Sequence, residues 1–420
     1  MKILMLSWEY PPVLVGGLGR HVHALATSLV KEGHEITVVT RYAPGHPLEE
    51  WQEGVRVVHA MEDPPLFAES QDSFLAWTMA FNHTLTRAAL RASTGHDFDV
   101  VHAHDWLVAH AAVTLKEQLD VPLIATIHAT EAGRHQGWLP ENMNKSIHSV
   151  EWWLAHEACR LVVCSQYMAW EVNRLMSVPY RRMEVVANGV EPHRWETDPE
   201  QVRNFRRRHH ADGPLVGFAG RLVYEKGVQD LIMAVPELSA RHPGIKVMIA
   251  GDGPYRQELE ALTRDLGVTD RVEFTGFLDR ELSTMIAACD VMALPSRYEP
   301  FGMIALEVAA AGTPVAVAST GGMMEIIRPG RTGATFNAGD PRSLAQAVSG
   351  LLTDRDNALE MAGRAREMVV RDYSWKAIAR QTAENYRIAT VEGPVFAERQ
   401  AAKVLSQGRP RIVVPEGNLL

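Results

Sequence analysis

Two acidic residues stand eight positions apart near the start of a candidate helix, in the run Pro295–Glu307. Pro300 is typical of a first helical turn, which leaves Glu299 in the preceding loop and puts Glu307 two turns inside the helix. A rise of about 1.5 Å per residue separates the carboxylates by about 12 Å along the axis, too far for the paired acids of a glycosidase. The spacing suits two hydroxyl-rich ends of one long ligand, or else a helix with one solvent-facing acid.

An anion between those carboxylates would meet the free backbone N–H groups at the helix start. These groups belong to Phe301, Gly302 and Met303. Two cations, Arg221 and Lys226, follow another strand that ends in glycine and lie five residues apart. An arginine fork and a lysine point charge can grip a diphosphate from two sides. The alternative is a solvated charge pair, which the strand-end glycines disfavour.

Histidines mark the ends of two strands in the first half of the chain. The run HAHDW, from His102 to Trp106, contains zinc-ligand types, but its HxHD spacing differs from an HxHxD motif and no second histidine cluster accompanies it in the sequence. We therefore expect no metal there, and Asp105 and Trp106 remain candidates for a sugar contact or for a structural role. His128 ends an apolar strand. A neutral imidazole there can bond a sugar hydroxyl, or it can be a structural group whose hydrogen bonds are satisfied within the protein.

A glycine loop follows the first strand and precedes a helix, in the run from Pro11 to Arg20. Gly16 and Gly17 would let the backbone approach a ligand closely, next to the positive end of the helix dipole. The loop is not a GxGxxG fingerprint, and the second strand ends without the acid that holds a nicotinamide cofactor's ribose. A nicotinamide-dependent oxidoreductase is therefore disfavoured, while a simple turn before a helix remains open.

Short β-branched runs alternate with longer amphipathic segments, which predicts an α/β protein with two doubly wound parallel sheets. The predicted strands of the first half are 3–6, 35–40, 54–59, 99–103, 123–128, 161–164 and 183–187. Those of the second half are 215–219, 246–250, 271–275, 291–294 and 314–318, with helices near 226–240, 255–266, 279–288, 301–311 and 341–370. A turn signal at Asn188-Gly189 separates domain 1–188 from domain 189–373. In such sheets ligands bind beyond the carboxyl ends of the strands, so the two domains should face a common cleft.

Composition excludes several classes of function. The chain has 420 residues and a net charge of −9, which disfavours a nucleic-acid binder. No apolar run reaches the roughly 18 residues of a membrane helix, and the start is too short for a signal peptide, so we expect a cytoplasmic protein without stable membrane insertion. The three cysteines fit reduced thiols rather than a disulfide framework. Residues 396–420 are expected to form a loose tail.

Taken together, the glycine loop, the Arg221 and Lys226 pair and the Glu-x7-Glu run resemble family 4 of the retaining glycosyltransferases, which have the two-domain GT-B fold. The resemblance covers about residues 1–390. It implies an N-terminal domain that binds the acceptor, a C-terminal domain that binds a nucleotide sugar, and no need for a metal or other cofactor. It also implies that the last helix, within 374–395, crosses back onto the first domain.

Within this family, HAHDW, the run Thr126–Arg134 and the opening Ser7–Pro12 resemble actinobacterial glycogen-synthase-related α-1,4-glucosyltransferases. The implied reaction moves glucose from UDP- or ADP-glucose to an α-1,4-glucan or related oligosaccharide. The first loop departs from bacterial glycogen synthases, because Leu14 and Val15 stand where those enzymes have Lys-Thr. The loss of that lysine leaves the choice between UDP and ADP open.

The resemblance also implies a role for each candidate residue. Arg221 and Lys226 would neutralise the diphosphate and stabilise the leaving nucleotide, and Gly17 would approach the phosphate from the other domain. Glu307 would accept bonds from the ribose, Glu299 from the donor sugar, and His128 would contact that sugar at the reacting face. The amides that would contact sugar and phosphate are those of Phe301, Gly302 and Met303. Asp105 and Trp106 would contact the acceptor.

Two alternatives share these motifs. A hexosyltransferase such as a phosphatidylinositol mannosyltransferase would dock on anionic lipid or use a small acceptor. Residues 1–188 carry 14 basic and 21 acidic residues, a balance that an anionic membrane repels. A non-catalytic nucleotide-sugar-binding protein would keep every donor residue, so turnover alone distinguishes it from an enzyme.

Overall fold

The computed structural model describes residues 1–14, 16–61, 74–278 and 281–395 and contains two α/β sheets. The predicted tail, residues 396–420, lies outside the described residues. The strands of the first sheet are β1 (Lys2–Leu6), β2 (Glu35–Arg41), β3 (Glu49–Gln52), β4 (Val55–Ala60), β5 (Val100–His104), β6 (Leu123–Ile127), β7 (Arg160–Val163) and β8 (Met183–Val185). Those of the second sheet are β9 (Leu215–Ala219), β10 (Lys246–Ala250), β11 (Val272–Gly276), β12 (Val291–Leu294), β13 (Val315–Ala318) and β14 (Ala334–Phe336).

Helices alternate with these strands. The first half contains α1 (Gly17–Lys31), α2 (Phe74–Ala92), α3 (Ala109–Leu119), α4 (Glu131–Arg134), α5 (Asn142–Glu157) and α6 (Gln166–Met176). The second half contains α7 (Pro199–Arg208), α8 (Val228–Arg241), α9 (Arg256–Asp265), α10 (Leu282–Ala288), α11 (Met303–Ala311), α12 (Met323–Ile326), α13 (Pro341–Thr353), α14 (Arg355–Asp372) and α15 (Trp375–Glu392). Among the described residues, none of these helices combines the length and the apolar character needed to cross a membrane.

Both sheets are doubly wound, as the sequence predicts. The first has strand order β3-β4-β2-β1-β5-β6-β7-β8, and the second has order β11-β10-β9-β12-β13-β14. The pairs are parallel except for the edge strand β3, which runs antiparallel to β4. In both sheets the order reverses beside the first strand, and ligands of open α/β sheets bind at such points.

Alternate residues of the central strand β1 face different layers, which explains why the strand is apolar throughout. Ile3 and Met5 are fully buried against a layer that contains α1 and α15. Leu4 and Leu6 are fully buried against the opposite layer, which contains α2 and α3. The first sheet is therefore covered on both faces, and its chemistry is left to the strand ends.

The chain passes between the two domains twice, and the two passages lie side by side. The N–H of Val190 donates to the carbonyl of Tyr373 (3.0 Å), and Val190 and Ser374 form a parallel bridge. Helix α15 then packs on the first sheet, where the Tyr386 hydroxyl lies 2.7 Å from Nδ1 of His102. The last described helix thus belongs to the core of the first domain.

Three details differ from the sequence expectations. The predicted helix 341–370 is two helices, because Asp354 ends α13 and its side chain caps α14 by accepting the N–H of Asn357 (3.3 Å). Strands β3 and β14 were not predicted, and both lie at sheet edges. The predicted helix at 301–311 begins at Met303, for a reason given with the site below.

Candidate functional site

The loop after β12 holds Glu299 against a lysine of the same domain. Oε2 of Glu299 accepts from Nζ of Lys226 (2.6 Å) and from the hydroxyl of Ser296 (3.1 Å), and the glutamate is buried. Lys226 lies on a short 3-10 turn that follows β9, and this turn ends at Gly227. A side chain at Gly227 would meet the Pro295 carbonyl, so glycine permits this close approach of the two loops.

Pro300 does not begin helix α11, contrary to the sequence expectation. Phe301 lies in the loop, and Gly302 is the N-cap in a left-handed conformation with φ of 101°. The loop is held open because the N–H of Gly322 donates to the Glu299 carbonyl (2.9 Å) and the hydroxyl of Ser165 donates to the Pro300 carbonyl (2.6 Å). The free N–H groups at the helix start are therefore displaced toward Met303 and the residues after it.

Glu307 is buried on α11 and forms an ion pair with an arginine of the opposite domain. Nη1 of Arg20, on α1, lies 3.2 Å from its Oε1. Burial raises the pKa of Glu307 above its usual range, and Arg20 opposes that shift. Arg20, the last residue of the glycine-loop run, thus points into the cleft toward Glu307. The glycine loop lies beside this pair, because a side chain at Gly17 would come within 3.2 Å of Sδ of Met303.

Arg221 has an exposed side chain at the end of β9. Neighbouring protein atoms partly desolvate its guanidinium and lower the pKa of Arg221 from the usual value, and the nearby guanidinium of Arg134 lowers this pKa further. Arg134, on α4, lies 3.7 Å from Oε1 of Glu225 in the other domain. Two guanidinium groups from different domains therefore approach each other, an arrangement that an anion would stabilise.

The first domain contributes Asp105 and His128 from the ends of β5 and β6. Asp105 has φ of 62° and ψ of 175°, a conformation that costs a non-glycine residue roughly 1–3 kcal/mol. Its Oδ1 accepts the N–H of His128 (2.8 Å), and burial raises its pKa to about 7. Burial lowers the pKa of His128 to about 4, so that imidazole is neutral at pH 7. Trp106 is partly exposed and packs edge-on against Phe74, with ring centroids 5.9 Å apart.

Sequence reasoning missed two buried residues on the first-domain side of the cleft, His21 and Glu151. His21 on α1 is buried with its ring centroid 4.7 Å from that of His128. Its position four residues after Gly17, one turn into the helix, is the signal that would have found it. Glu151 on α5 is also buried; its Oε1 accepts the N–H of Glu131 (2.8 Å), and burial raises its pKa to about 7.

A buried tyrosine joins the two domains beside the site. The hydroxyl of Tyr298 donates to Oε1 of Glu171 (2.8 Å) and accepts the N–H of Thr130 (3.3 Å). Glu325 of the second domain accepts the N–H groups of Gln166 (3.1 Å) and Tyr167 (2.9 Å) at the start of α6. The cleft is therefore closed on one side by directional hydrogen bonds.

Comparisons with known proteins agree with this geometry. Residues 15–194 match the model of Glycosyltransferase Family 4, and residues 199–368 match that of the Glycosyl transferases group 1. The chain is 43% identical over 402 residues to a glycogen synthase of Mycobacterium tuberculosis, covering 93% of this chain and 95% of the relative. The chain is a family 4 glycosyltransferase. This family assignment makes it a retaining hexosyltransferase, as the sequence predicts.

Solved structures establish the GT-B fold of this glycosyltransferase. Sucrose-phosphate synthase from Thermosynechococcus elongatus aligns with a TM-score of 0.81 at 24% identity, over 93% of this chain and 99% of that one. An Anabaena protein in complex with UDP-glucose aligns with a TM-score of 0.75 at 22% identity, over 92% of this chain and 99% of that one. The two sheets and the cleft between them thus have the GT-B arrangement.

Proposed function

We propose that this glycosyltransferase moves glucose from UDP- or ADP-glucose to an α-1,4-glucan or related oligosaccharide, with retention of configuration. The observation that carries the proposal is the pair of buried carboxylates, Glu299 and Glu307, held on either side of the start of α11 and each matched to a cation. The 43% identity to a glycogen synthase supports glucose as the transferred sugar and a glucan as the acceptor.

In the proposed complex the second domain, 189–373, binds the nucleotide sugar. Glu307 accepts bonds from the ribose hydroxyls, and Arg20 favours the charged form of its carboxylate. Arg221 and Lys226 neutralise the diphosphate, while the amides at Gly302 and Met303 and the loop at Gly17 approach it from two sides. Phe301 contributes through its backbone in the loop.

The first domain, 1–188 with 374–395, is proposed to bind the acceptor. His128 is neutral and can bond a hydroxyl of the donor sugar, and Glu299 accepts from another hydroxyl of that sugar. Asp105 fixes the backbone at His128, and together with Trp106 it borders the space for the acceptor. The neutral imidazole of His128 suits contact with an uncharged oligosaccharide.

The proposed chemistry is attack on the front face of the sugar. The bond from the anomeric carbon to the phosphate oxygen breaks, the bond to the acceptor oxygen forms on the same face, and the acceptor proton passes to the departing phosphate oxygen. Arg221 and Lys226 stabilise the negative charge that develops on that phosphate. These cations perform the task for which other transferases use a metal, so we propose that no metal or other cofactor is needed.

The proposed place of action is the cytoplasm. The three cysteines, Cys159, Cys164 and Cys289, are free and buried, as expected in a reducing compartment. No nucleic acid and no membrane insertion enter the proposed reaction.

The test is incubation of the purified chain with UDP-glucose or ADP-glucose and a short maltooligosaccharide, with and without EDTA. Linkage analysis should find new α-1,4-linked glucose, and EDTA should leave both the rate and nucleotide binding unchanged. Transfer of a different hexose, transfer to a lipid acceptor only, or nucleotide binding without turnover would contradict the proposal.

A further inference from the structure

Three imidazoles of the first domain converge near the ends of β5 and β6. His21, His104 and His128 each offer one ring nitrogen, and these three nitrogens lie within 4.8 Å of one another. Nδ1 of His104 and Nε2 of His128 are 3.2 Å apart. Nitrogen ligands at about 2.0–2.1 Å from a tetrahedral zinc ion lie about 3.3 Å from each other. One edge of such a site therefore exists already, and the other two nitrogen pairs, within 4.8 Å, would have to shorten by at most about 1.5 Å.

Two buried ring nitrogens of this group have no hydrogen-bond partner among the described residues. They are Nδ1 of His21 and Nε2 of His104. His21 is 5% exposed and His104 is fully buried, so water does not readily satisfy them. Buried polar atoms are nearly always paired, and these two require an explanation. Burial lowers the pKa of all three imidazoles, which leaves their lone pairs available at pH 7.

Neighbouring groups are placed to orient the rings. The side chain of Asn188 lies close enough to His21 to oppose the fall in its pKa, and the carboxylate of Asp105 accepts the backbone N–H of His128. Such outer contacts fix the ring orientation of histidine ligands. When the proton shared by His104 and His128 lies on Nδ1 of His104, its transfer to the unpaired Nε2 of that ring would free both facing nitrogens without release of a proton.

We propose that His21, His104 and His128 bind one divalent transition metal ion of the zinc class, and that the bound ion inhibits glucosyl transfer. Imidazole nitrogen suits zinc, copper and nickel rather than magnesium or calcium. The inhibitory part rests on the proposed function, because the ion would hold through Nε2 the ring of His128, the residue that we place against the donor sugar. The ion therefore competes with the sugar and leaves the nucleotide-binding residues of the other domain free.

Titration of the full chain with Co²⁺ tests the site without turnover. We expect one equivalent to produce the intense visible bands of tetrahedral cobalt, and Zn²⁺ to displace it. His21→Gln should weaken binding of both ions by at least about tenfold. Measured against the variant's own uninhibited rate, the Zn²⁺ concentration needed for half-inhibition should rise by a similar factor. His242→Gln, in the second domain, is the matched control and should bind both ions like the wild type.

A second measurement needs no variant. Saturating UDP-glucose should weaken Co²⁺ binding to the wild type, whereas UDP should not. Absence of tetrahedral bands, bands that persist at full affinity in a folded His21→Gln chain, or equal competition by UDP would each overturn the proposal. Because cobalt binding is read by absorption, its failure is separate from a failure to transfer glucose.

Discussion

The two walls of the cleft are built on similar sheets but differ in charge. The wall of the second domain carries ion pairs, of which Lys226 with Glu299 at 2.6 Å is the shortest to involve a candidate catalytic residue. The wall of the first domain presents His128 and Asp105, whose charged forms are disfavoured by burial, with pKa values of about 4 and about 7. Its cations Arg20 and Arg134 reach across the cleft to carboxylates of the second domain. The difference indicates a division of labour in which one domain handles an ionic leaving group and the other handles uncharged sugar.

The ionic wall should give the largest effect. We expect Lys226→Ala to lower transfer by about a thousandfold, because the leaving diphosphate and Glu299 both lose their cation. The rate would be measured with saturating UDP-glucose, and the unfolding midpoint would be checked in parallel. Arg271→Ala removes a partly exposed cation of the same domain, paired with Asp270, and should transfer glucose normally. A near-normal rate for Lys226→Ala would remove the ionic wall from the mechanism.

The neutral wall should act on the sugar and not on the nucleotide. We expect His128→Ala to lower transfer by about a hundredfold through the loss of a hydrogen bond at the reacting sugar. Calorimetric titration should give the same dissociation constant for UDP in the variant and in the wild type. Weaker UDP binding would instead place His128 at the leaving group and erase the proposed contrast between the walls.

A buried carboxyl group with a raised pKa should make the free energy of unfolding depend on pH. The pKa of Glu151 is about 7 when folded and about 4.5 when unfolded, so its stabilising contribution is complete below pH 4.5 and is lost as the pH rises through 7. The stability of Glu151→Gln relative to the wild type should therefore rise by about 2 kcal/mol between pH 5 and pH 8. Urea unfolding at both pH values measures this change, and an equal difference at both would contradict it.

The smallest effect is expected at the ribose end of the ionic wall. Glu307→Gln keeps the volume of the side chain but weakens a charge-assisted hydrogen bond, worth about 1.4 kcal/mol or about tenfold in nucleotide affinity. Titration with UDP and with inorganic pyrophosphate separates the ribose contact from the diphosphate contact. Pyrophosphate binding should be unaffected, and a parallel loss for both ligands would relocate Glu307 to the diphosphate.

Apolar patterning predicted the central strands, because those strands are buried on both faces. It missed β3, whose sequence Glu49-Glu50-Trp51-Gln52 is polar and lies at an edge with one neighbour. It also joined α13 to α14, because the break at Asp354 depends on a side-chain cap and not on glycine or proline. Local signals of one residue are weaker than periodicity over ten residues.

The sequence suggested the candidate residues because strand ends and glycine loops are where ligands approach the backbone in this fold. Their partners were not found, because Arg20 and Glu307 are 287 positions apart and Tyr298 meets Glu171 only after two domains have packed. The start of α11 was misplaced for the same reason, since Ser165 of the other domain binds the loop at Pro300. Contacts across a cleft depend on tertiary structure that no local pattern encodes.

The chain crosses between the domains at Val190 and again at Tyr373, so one covalent connection would remain if the other were cut. A protease that cuts the chain near Gly189 would leave a C-terminal fragment that still carries α15, and that helix is packed in the first domain with Trp375 against Gly189. The two fragments should therefore co-purify. A nicked enzyme that remains assembled would be a natural starting point for circular permutation or for a split reporter of cleft closure.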